Sequence, residues 1–287
     1  MTDEKTEGTS TLSALRGMVS FFTLWHLDIT QRDMDSMEQR FHAVPIVGVL
    51  FGVLILVELV LLSEMQRCLG MGSGMLNAIT IMLTVYAGSK FIHFDGLTDF
   101  GDGMIVSGQK EDHVRALKDT LVGAGGIGVA LIVTLTSFSI YSMAGLVCLF
   151  LAAPLTEVLV KNGMVFAAAF GKPGNGMAGR QVAMTTRDSA IRSIVVSVVC
   201  GGLMLIIGSL LCDIVWNMDL ERMVIAGVLM LVVGLIVSSV VGCIMARTAN
   251  RNFGMVNGDI LGATNEISRP AVMFFMILMF SIYMVVF

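Results

Sequence analysis

Three carboxylates lie close together in one short stretch of the sequence, His93-Phe94-Asp95-Gly96-Leu97-Thr98-Asp99-Phe100-Gly101-Asp102-Gly103. Asp95, Asp99 and Asp102 are four and three residues apart, so a helix would place them along one face with neighbouring Cβ atoms about 5–6 Å apart. Like charges at that distance repel one another unless a cation or protons neutralise them. Mg²⁺ prefers carboxylate oxygens, and the glycines would allow a ligand to approach closely. The stretch therefore predicts either a magnesium site or a solvated acidic turn.

The composition indicates what surrounds these carboxylates. The 287 residues are 55% hydrophobic and 14% charged, with a mean hydropathy of +0.84, which is far from the composition of soluble domains. Apolar runs long enough to cross a bilayer recur from about residue 43 to the C-terminus. We therefore expect an all-α integral membrane protein, a polytopic helical bundle forming one catalytic domain over 1–287, with an N-terminal segment at 1–42 and the bundle at 43–287.

The apolar runs divide into about seven transmembrane helices. The spans are expected near residues 43–63, 74–92, 122–141, 142–160, 190–211, 223–246 and 270–287, with a tight turn at Tyr141-Ser142. Before them, Leu12 to Trp25 is apolar but contains Arg16, which is typical of an interfacial or re-entrant helix rather than a span. Residues 28–40 are expected to form a charged connector. No internal repeat is evident, so an inverted-repeat transporter gains no support.

Lysine and arginine placement predicts the topology. With seven spans, 16 of the 18 Lys and Arg residues fall on alternate connectors, Lys5 among them, and only Arg67 and Arg222 fall on the others. By the positive-inside rule the N-terminus would be cytoplasmic and the C-terminus outside, in a multi-pass protein of the cytoplasmic (cell inner) membrane.

This topology places nearly all the chemically interesting groups at the cytoplasmic membrane boundary. Asp95, Asp99, Asp102 and Asp119 would lie on the third connector, and Glu157, Lys161 and Lys172 at or after the inner end of the fourth span. A further group is expected on the connector before the seventh span: Asn257, Asp259, Asn265, Glu266 and Arg269. Within the spans Glu58 is the clearest ionisable residue, and we expect it to snorkel or to pack between helices rather than to take part in catalysis. This distribution favours an enzyme over a transporter, whose ionisable groups would lie near the bilayer midplane.

Two glycine-rich stretches each leave two interpretations open. Gly123 to Gly128 matches GxGxxG but follows no strand, so it indicates either close helix packing or free N–H groups that meet a phosphate. Phe170 to Arg180 is glycine-rich and basic and would be a flexible connector or a mobile lid over an anion. The five cysteines lack metal-ligand spacing. His93 is interpreted as a residue that orients the carboxylates.

The stretch His93-Phe94-Asp95-Gly96-Leu97-Thr98-Asp99 with Asp102-Gly103 resembles the H-x-D-G-L-x-D-x-x-D-G motif of the cobalamin-5'-phosphate synthase (adenosylcobinamide-GDP ribazoletransferase) family. The resemblance extends along the chain through Pro45-Ile46-Val47-Gly48, Lys118-Asp119 with Gly123 and Gly126, and Asn257-Gly258-Asp259-Ile260-Leu261-Gly262-Ala263 with Glu266. Glu157, Lys161 and Gly171-Lys172-Pro173 are similar to the archaeal branch. The chain departs from the pattern at Asn257, where threonine is usual, and at Thr98, where alanine is common.

The resemblance implies a transferase that completes the nucleotide loop of cobamides. A hydroxyl of α-ribazole, or of its 5'-phosphate, would attack the cobinamide-side phosphorus of adenosylcobinamide-GDP and release GMP. The resemblance implies Mg²⁺ dependence, and we expect Asp95, Asp99 and Asp102 to be the metal ligands and, with Asp259, the catalytic carboxylates. Asp259 or Asp119 would complete the ligand set or accept the proton. The resemblance also implies a group of substrate-binding residues: His93, Lys118, Asp119, Glu157, Lys161, Lys172, Asn257, Glu266 and Arg269.

Two other classes of membrane protein compete with this assignment. A CDP-alcohol phosphotransferase also clusters aspartates, but its motif requires Ala-Arg where this chain has Asp99-Phe100. A cation transporter or channel would use the aspartates as a selectivity ring. The expected partners are the two substrates and the lipid bilayer, with no nucleic acid. Small-residue pairs such as Gly201-Gly202 leave open a homo-oligomer or association with other cobamide-assembly enzymes.

Overall fold

The computed structural model describes residues 10–287, so the predictions for residues 1–9, Lys5 included, lie outside the described part. Within that part the chain forms α-helices and no strand, which confirms the all-α prediction. The helices are α1 (Thr11–Phe22), α2 (Gln31–Gln39), α3 (Pro45–Leu69), α4 (Gly74–Gly88), α5 (Ile92–Ile105), α6 (Lys110–Leu117), α7 (Ala124–Met143), α8 (Leu146–Phe170), α9 (Gly176–Met184), α10 (Arg187–Trp216), α11 (Leu220–Asn252) and α12 (Gly258–Val286).

Six of these helices are long and apolar enough to cross a membrane by themselves: α3, α7, α8, α10, α11 and α12. Their outward faces carry large exposed apolar side chains such as Ile132, Val199 and Ile236, which suit contact with lipid rather than water. The helices α4 and α5 taken together are also long and apolar enough to cross a membrane, but the chain bends by 91° at the break between them. The structure is therefore that of a multi-pass membrane protein.

The helix α4 has 15 residues that span about 22 Å, and together with α5 it forms the bent pair that would make a seventh crossing. Gly74 at its start packs against Ser142 near the end of α7, and the carbonyl of Gly88 at its end accepts a hydrogen bond of 2.8 Å from Leu24 N, just after α1. Those contacts lie at opposite ends of the bundle. We call the end that holds α1, α2, α5, α6 and α9 the carboxylate end and the other the opposite end. The helix α5 runs along the carboxylate end.

The helix α8 forms the centre of the bundle. It packs against α3, α10, α11 and α12, and nearly all of its side chains are buried, as expected for a helix that is apolar on every side. Glycines allow the neighbours to approach its backbone: Gly48 of α3 lies against Glu157, and Gly242 of α11 lies against Gly163. The Pro45-Ile46-Val47-Gly48 stretch thus begins α3, with proline in the first turn, and sets its contact with α8.

Several predicted span limits are wrong. The turn between α7 and α8 is at Ala144-Gly145, not Tyr141-Ser142, and α8 continues to Phe170, ten residues past the predicted end. The helix α12 begins at Gly258 rather than at residue 270. The start of α12 was placed too late because Glu266, Arg269 and Pro270 are typical of a helix boundary. Inside a bundle, neighbouring helices satisfy such groups, so the helix continues through them.

The N-terminal segment folds as two short helices against the carboxylate end. The helix α1 has 12 residues, too few to cross, as predicted. The predicted charged connector instead contains α2, which begins with a capping box between Thr30 and Asp33. Gly17 of α1 lies against the backbone of Asp33, and the buried carboxylate of Glu38 accepts hydrogen bonds of 3.0 and 2.7 Å from Arg180 of α9.

Candidate active site

The candidate site forms where α5 packs against the start of α12. A Cβ at Gly96 would lie 2.8 Å from the Asp259 carbonyl oxygen, and a Cβ at Gly262 would lie 3.2 Å from the His93 Cα. Only glycine fits at such distances, so these two positions bring the helices together. As a result Asp95 and Asp99, on α5, lie beside Asp259 in the first turn of α12.

The three carboxylates of this junction, Asp95, Asp99 and Asp259, carry negative charge that is only weakly compensated. Partial burial, together with the charges of Asp259, Asp95 and Asp102, raises the pKa of Asp99 to about 6. Lys118, which is exposed at the end of α6, is close enough for its charge to act on Asp259. Asn257 caps α12 and donates a hydrogen bond of 2.7 Å to Asp259 Oδ2. Such a group favours the binding of a cation.

Asp102 is engaged elsewhere. Its Oδ2 accepts a hydrogen bond of 2.6 Å from Gly123 N, and its Oδ1 accepts one of 2.7 Å from Gly126 N, at the first turn of α7. A carboxylate from α5 thus caps the N-terminus of α7, where the helix dipole also favours it. The helices touch closely, because a Cβ at Gly126 would lie 2.5 Å from the Thr98 carbonyl oxygen.

This contact decides between the interpretations of the GxGxxG stretch. Two of the N–H groups that were candidates for a phosphate are bonded to Asp102, so close packing is the correct interpretation. Among residues 10–287, moreover, no three His, Cys, Asp or Glu side chains are gathered tightly enough to enclose a metal ion. The predicted face of Asp95, Asp99 and Asp102 exists on α5, but it is not a preformed three-ligand cage.

A cavity of about 170 Å³ adjoins the junction of α5 and α12. Phe22 from α1, His93 and Asp95 from α5, and Asp259 from α12 line it, with Gln181 of α9. The ring of Phe22 stacks on His93 with centroids 5.6 Å apart. The sequence left a substrate contact by Phe22-Thr23 in doubt, because the family's Arg-x-Pro does not follow, and the packing of α1 on α5 is what places Phe22 at the cavity.

Behind His93 lies a buried polar network that connects α5, α8 and α12. Lys161 Nζ donates to His93 Nε2 at 2.8 Å and to Asn265 Oδ1 at 2.7 Å, and Asn265 Nδ2 donates to Glu266 Oε1 at 2.9 Å. Since an ammonium group only donates, Nε2 of His93 is an acceptor and its ring proton is on Nδ1. Lys161 thus orients the His93 ring, while the predicted role of His93 in orienting the carboxylates stays a prediction.

The network ends at Arg269, which pairs with two carboxylates. Its NH1 donates to Glu157 Oε1 and its NH2 donates to Glu266 Oε1 at 3.1 Å. The two cations, Lys161 and Arg269, balance the charge of the two anions, Glu157 and Glu266. Buried charges require such pairing. Lys161 and Arg269 are each 1% exposed. These four charged side chains contact one another, His93 and Asn265, and the Arg269 guanidinium also lies over the Tyr86 ring, 5.9 Å from its centroid.

These positions correct the predicted distribution of charge. Glu157 and Lys161 lie within α8, and Asn265, Glu266 and Arg269 lie within α12, so they are inside the bundle and not on connectors. Glu58 is accordingly one of several ionisable residues in the spans. It is packed between helices as expected, accepting a hydrogen bond of 2.8 Å from Thr84 of α4.

The remaining predicted residues lie around the carboxylate end. Lys172 and Asp119 are both exposed, and an oxygen of Asp119 accepts a hydrogen bond from Leu121 N at 3.0 Å. The connector that holds Lys172 is folded, since the Lys172 carbonyl accepts from Val256 N at 2.7 Å and α9 follows.

Comparison with known proteins adds a family to this geometry. Residues 14–277 match the model of the family described as cobalamin-5-phosphate synthase. The adenosylcobinamide-GDP ribazoletransferase of Methanocella arvoryzae is 30% identical over 263 residues, covering 91% of this chain and 93% of that protein. The protein of the same name from Methanosarcina barkeri is 25% identical over 284 residues, covering 91% and 90%. No solved structure matches the chain.

Proposed function

Because this chain belongs to the cobalamin-5-phosphate synthase family, and so to the enzymes of cobalamin biosynthesis, we propose that it joins α-ribazole, or its 5'-phosphate, to adenosylcobinamide-GDP and releases GMP. The observation that carries the proposal is the junction of α5 and α12, where Asp95, Asp99 and Asp259 meet beside a cavity at one end of the bundle. Diphosphate chemistry needs such a site, because its main demands are positioning and charge neutralisation.

The chemistry of these carboxylates fits Mg²⁺. Asp99, with its raised pKa, experiences unscreened negative charge that a divalent cation would neutralise. Mg²⁺ commonly uses one or two protein carboxylates and completes its shell with water and substrate phosphates, so a preformed cage is not required. Asp95, Asp99 and Asp259 would hold the ion, while Asp102 would position α5 against α7. When bound, Mg²⁺ neutralises the diphosphate and the leaving phosphate.

The reaction balances as a single displacement at phosphorus. The nucleoside hydroxyl oxygen forms a bond to the phosphorus nearer cobinamide, and the anhydride P–O bond to GMP breaks. GMP leaves with the bonding electrons. The hydroxyl proton passes to a carboxylate of the junction, held within reach by the contact between α5 and α12. Lys118 stands on the same side to attract the phosphates.

The charge distribution supports a cytoplasmic site in a cytoplasmic membrane. Of the 17 Lys and Arg residues that the structure describes (18 in the chain less Lys5), Arg67 and Arg222 lie at the opposite end, and Lys161 and Arg269 are buried. The other 13 lie at the carboxylate end. By the positive-inside rule that end faces the cytoplasm.

The rival proposal of a cation transporter has weaker support. The charged residues of α8 and α12 inside the bundle are bonded to one another, to His93 or to Asn265, and α8 is buried along nearly all its length. A transport pathway would instead line a water-filled cavity with such groups.

The direct test supplies purified protein with adenosylcobinamide-GDP, α-ribazole and Mg²⁺ and measures GMP and the joined corrinoid by chromatography. We expect both products in equal amounts, and neither when Mg²⁺ is chelated. Parallel reactions with the 5'-phosphate decide which nucleoside is used. Absence of GMP from a folded preparation with all components present would reject the proposal.

A further inference from the structure

A second cavity, of about 480 Å³, lies between α1, α2 and α5 and shares Phe21, Ile92 and Asp95 with the lining of the smaller one. Apolar side chains form its walls: Phe21 of α1, Ile29 and Met34 around α2, and Ile92 of α5. Lys90 and Asp95 are its charged groups. The cavity therefore joins an apolar space to one of the carboxylates of the candidate site.

The α4–α5 corner that borders this cavity is strained. Lys90 and Phe91 have φ values of 54° and 57°, a left-handed conformation that is uncommon for residues other than glycine, and here two such residues are consecutive. Backbone hydrogen bonds hold them, from Lys90 N to Ala87 O at 3.0 Å and from Phe91 N to Tyr86 O at 2.9 Å. Such strain persists where the surroundings over-determine it and is concentrated at binding sites.

The corner also fixes the position of the Lys90 ammonium group at the cavity. Lys90 Nζ donates a hydrogen bond of 3.0 Å to the Ser20 carbonyl of α1, which leaves the other two ammonium protons for a ligand. A ligand that suits the cavity thus has an apolar or aromatic part for the walls and polar groups for Lys90 and Asp95. Its size is that of small-molecule pockets, about 300–1,000 Å³, and not that of a corrinoid with its side chains.

We propose that this cavity binds the aromatic nucleoside, with the base against Phe21, Ile29 and Met34 and the ribose directed to Asp95. The proposal rests on the proposed function, because only there does an aromatic nucleoside enter the reaction. It assigns the α1–α2 segment to nucleoside binding and leaves the corrinoid diphosphate to the side of Asp259. Free α-ribazole and its 5'-phosphate share the base and sugar on which the assignment depends.

The test fills the cavity and measures each substrate separately. In Met34→Trp and Ile29→Trp, the KM for the nucleoside should rise at least about tenfold, while the KM for adenosylcobinamide-GDP stays within about twofold. Leu27→Trp is the matched control, because Leu27 lies two residues from Ile29, is exposed and does not line the cavity. It should leave both KM values unchanged. Two positions are used so that one misfolded variant, recognised by its elution profile, does not decide the result.

Direct binding separates this proposal from the proposed function. Equilibrium dialysis of α-ribazole, and in a second arm of its 5'-phosphate, against the wild-type chain should show binding that both tryptophan variants weaken about tenfold or more. If the wild-type protein binds the nucleoside in this way but forms no GMP, the transferase assignment is rejected. The assignment of the cavity to nucleoside binding is then retained. Active protein whose folded variants keep the nucleoside KM, or raise the corrinoid KM instead, would overturn the cavity assignment alone.

Discussion

Asp95 and Asp102 belong to one acidic face of α5, yet their surroundings give them different roles. Asp95 is exposed between two cavities, whereas both oxygens of Asp102 are bonded to backbone N–H groups of α7. The spacing in the sequence was sufficient to predict the shared face. It could not reveal the cap, because the two donors lie 21 and 24 residues further along the chain and are generic peptide groups.

Replacing Asp95 by Asn should remove activity without removing stability. The carboxylate is exposed and repelled by its neighbours, so its neutral isostere should unfold at the same temperature or slightly higher. The rate of GMP release should fall at least about a hundredfold, since charge stabilisation at the reacting phosphate is lost. Glu64→Gln, an exposed carboxylate at the opposite end, is the control and should retain full turnover. Full turnover in Asp95→Asn would contradict the proposed active site.

Replacing Asp102 by Ala should act first on stability. The backbone N–H groups of Gly123, which is half-buried, and Gly126, which is buried, lose their acceptor, which costs about 1–3 kcal/mol, and the start of α7 loses a favourable charge. The unfolding midpoint in detergent should therefore fall clearly below that of Asp95→Asn, with Asp102→Asn between them because one acceptor remains. If Asp102→Ala were inactive with an unchanged midpoint, a direct metal-binding role would be the better explanation.

At the scale of helices, the site depends on how closely α5 approaches α12. In Gly96→Ala the new Cβ would lie 2.8 Å from the Asp259 carbonyl oxygen and 2.9 Å from its Cα, so the helices must separate. Asp95 and Asp99 would move away from Asp259, and kcat should fall at least about tenfold. The control Gly128→Ala meets nothing within 4 Å and should be neutral or gain about 0.5–1 kcal/mol of stability. Equal activity of the two variants would contradict the geometry.

The helices were predicted well where the sequence was uniformly apolar and poorly where it was charged. The apolar runs at 43–63 and 190–211 predicted spans close to α3, which ends at Leu69, and α10, which ends at Trp216. The start of α12 was missed, because Glu266 and Arg269 look exposed when α12 is considered alone. Their burial depends on Glu157 and Lys161 from α8, and a single sequence does not show which helices meet. The four-residue spacing of Glu157 and Lys161 was the available signal, since it places both on one helix face.

The buried network makes a specific prediction about stability. Arg269→Met removes the cation that is bonded to Glu157 and Glu266 and leaves Lys161 as the one cation of the network facing two buried carboxylates, which should destabilise the fold by about 3–5 kcal/mol. Arg67→Met removes an exposed ion pair with Glu64 and should cost about 0–1 kcal/mol. Unfolding of both variants in detergent, followed by circular dichroism, measures the contrast. A similar small loss for the two would mean that Arg269 is not the essential partner of those carboxylates.

At the scale of the whole molecule, the two ends of the bundle differ in charge and in thiol exposure. Cys68 lies beside Arg67 at the opposite end and is exposed, while Cys148, Cys200 and Cys212 are buried and Cys243 is partly so. If α4 crosses the membrane, Cys68 and the carboxylates are on different sides of it. The positive-inside rule then predicts that Cys68 is outside the cell membrane.

A native thiol can therefore report the orientation. In intact cells (spheroplasts where an outer layer blocks access), a membrane-impermeant maleimide should label the wild-type chain, and Cys68→Ser should abolish that labelling. Ser107→Cys, made in the Cys68→Ser background, places a thiol on the exposed connector between α5 and α6 at the carboxylate end. It should react only after the membrane is permeabilised. The reverse pattern would place the carboxylates outside, away from cytoplasmic nucleotide substrates, and would contradict the proposed site. Labelling of both positions in intact cells would mean that α4 is re-entrant rather than a crossing, since the two sites would then share one side.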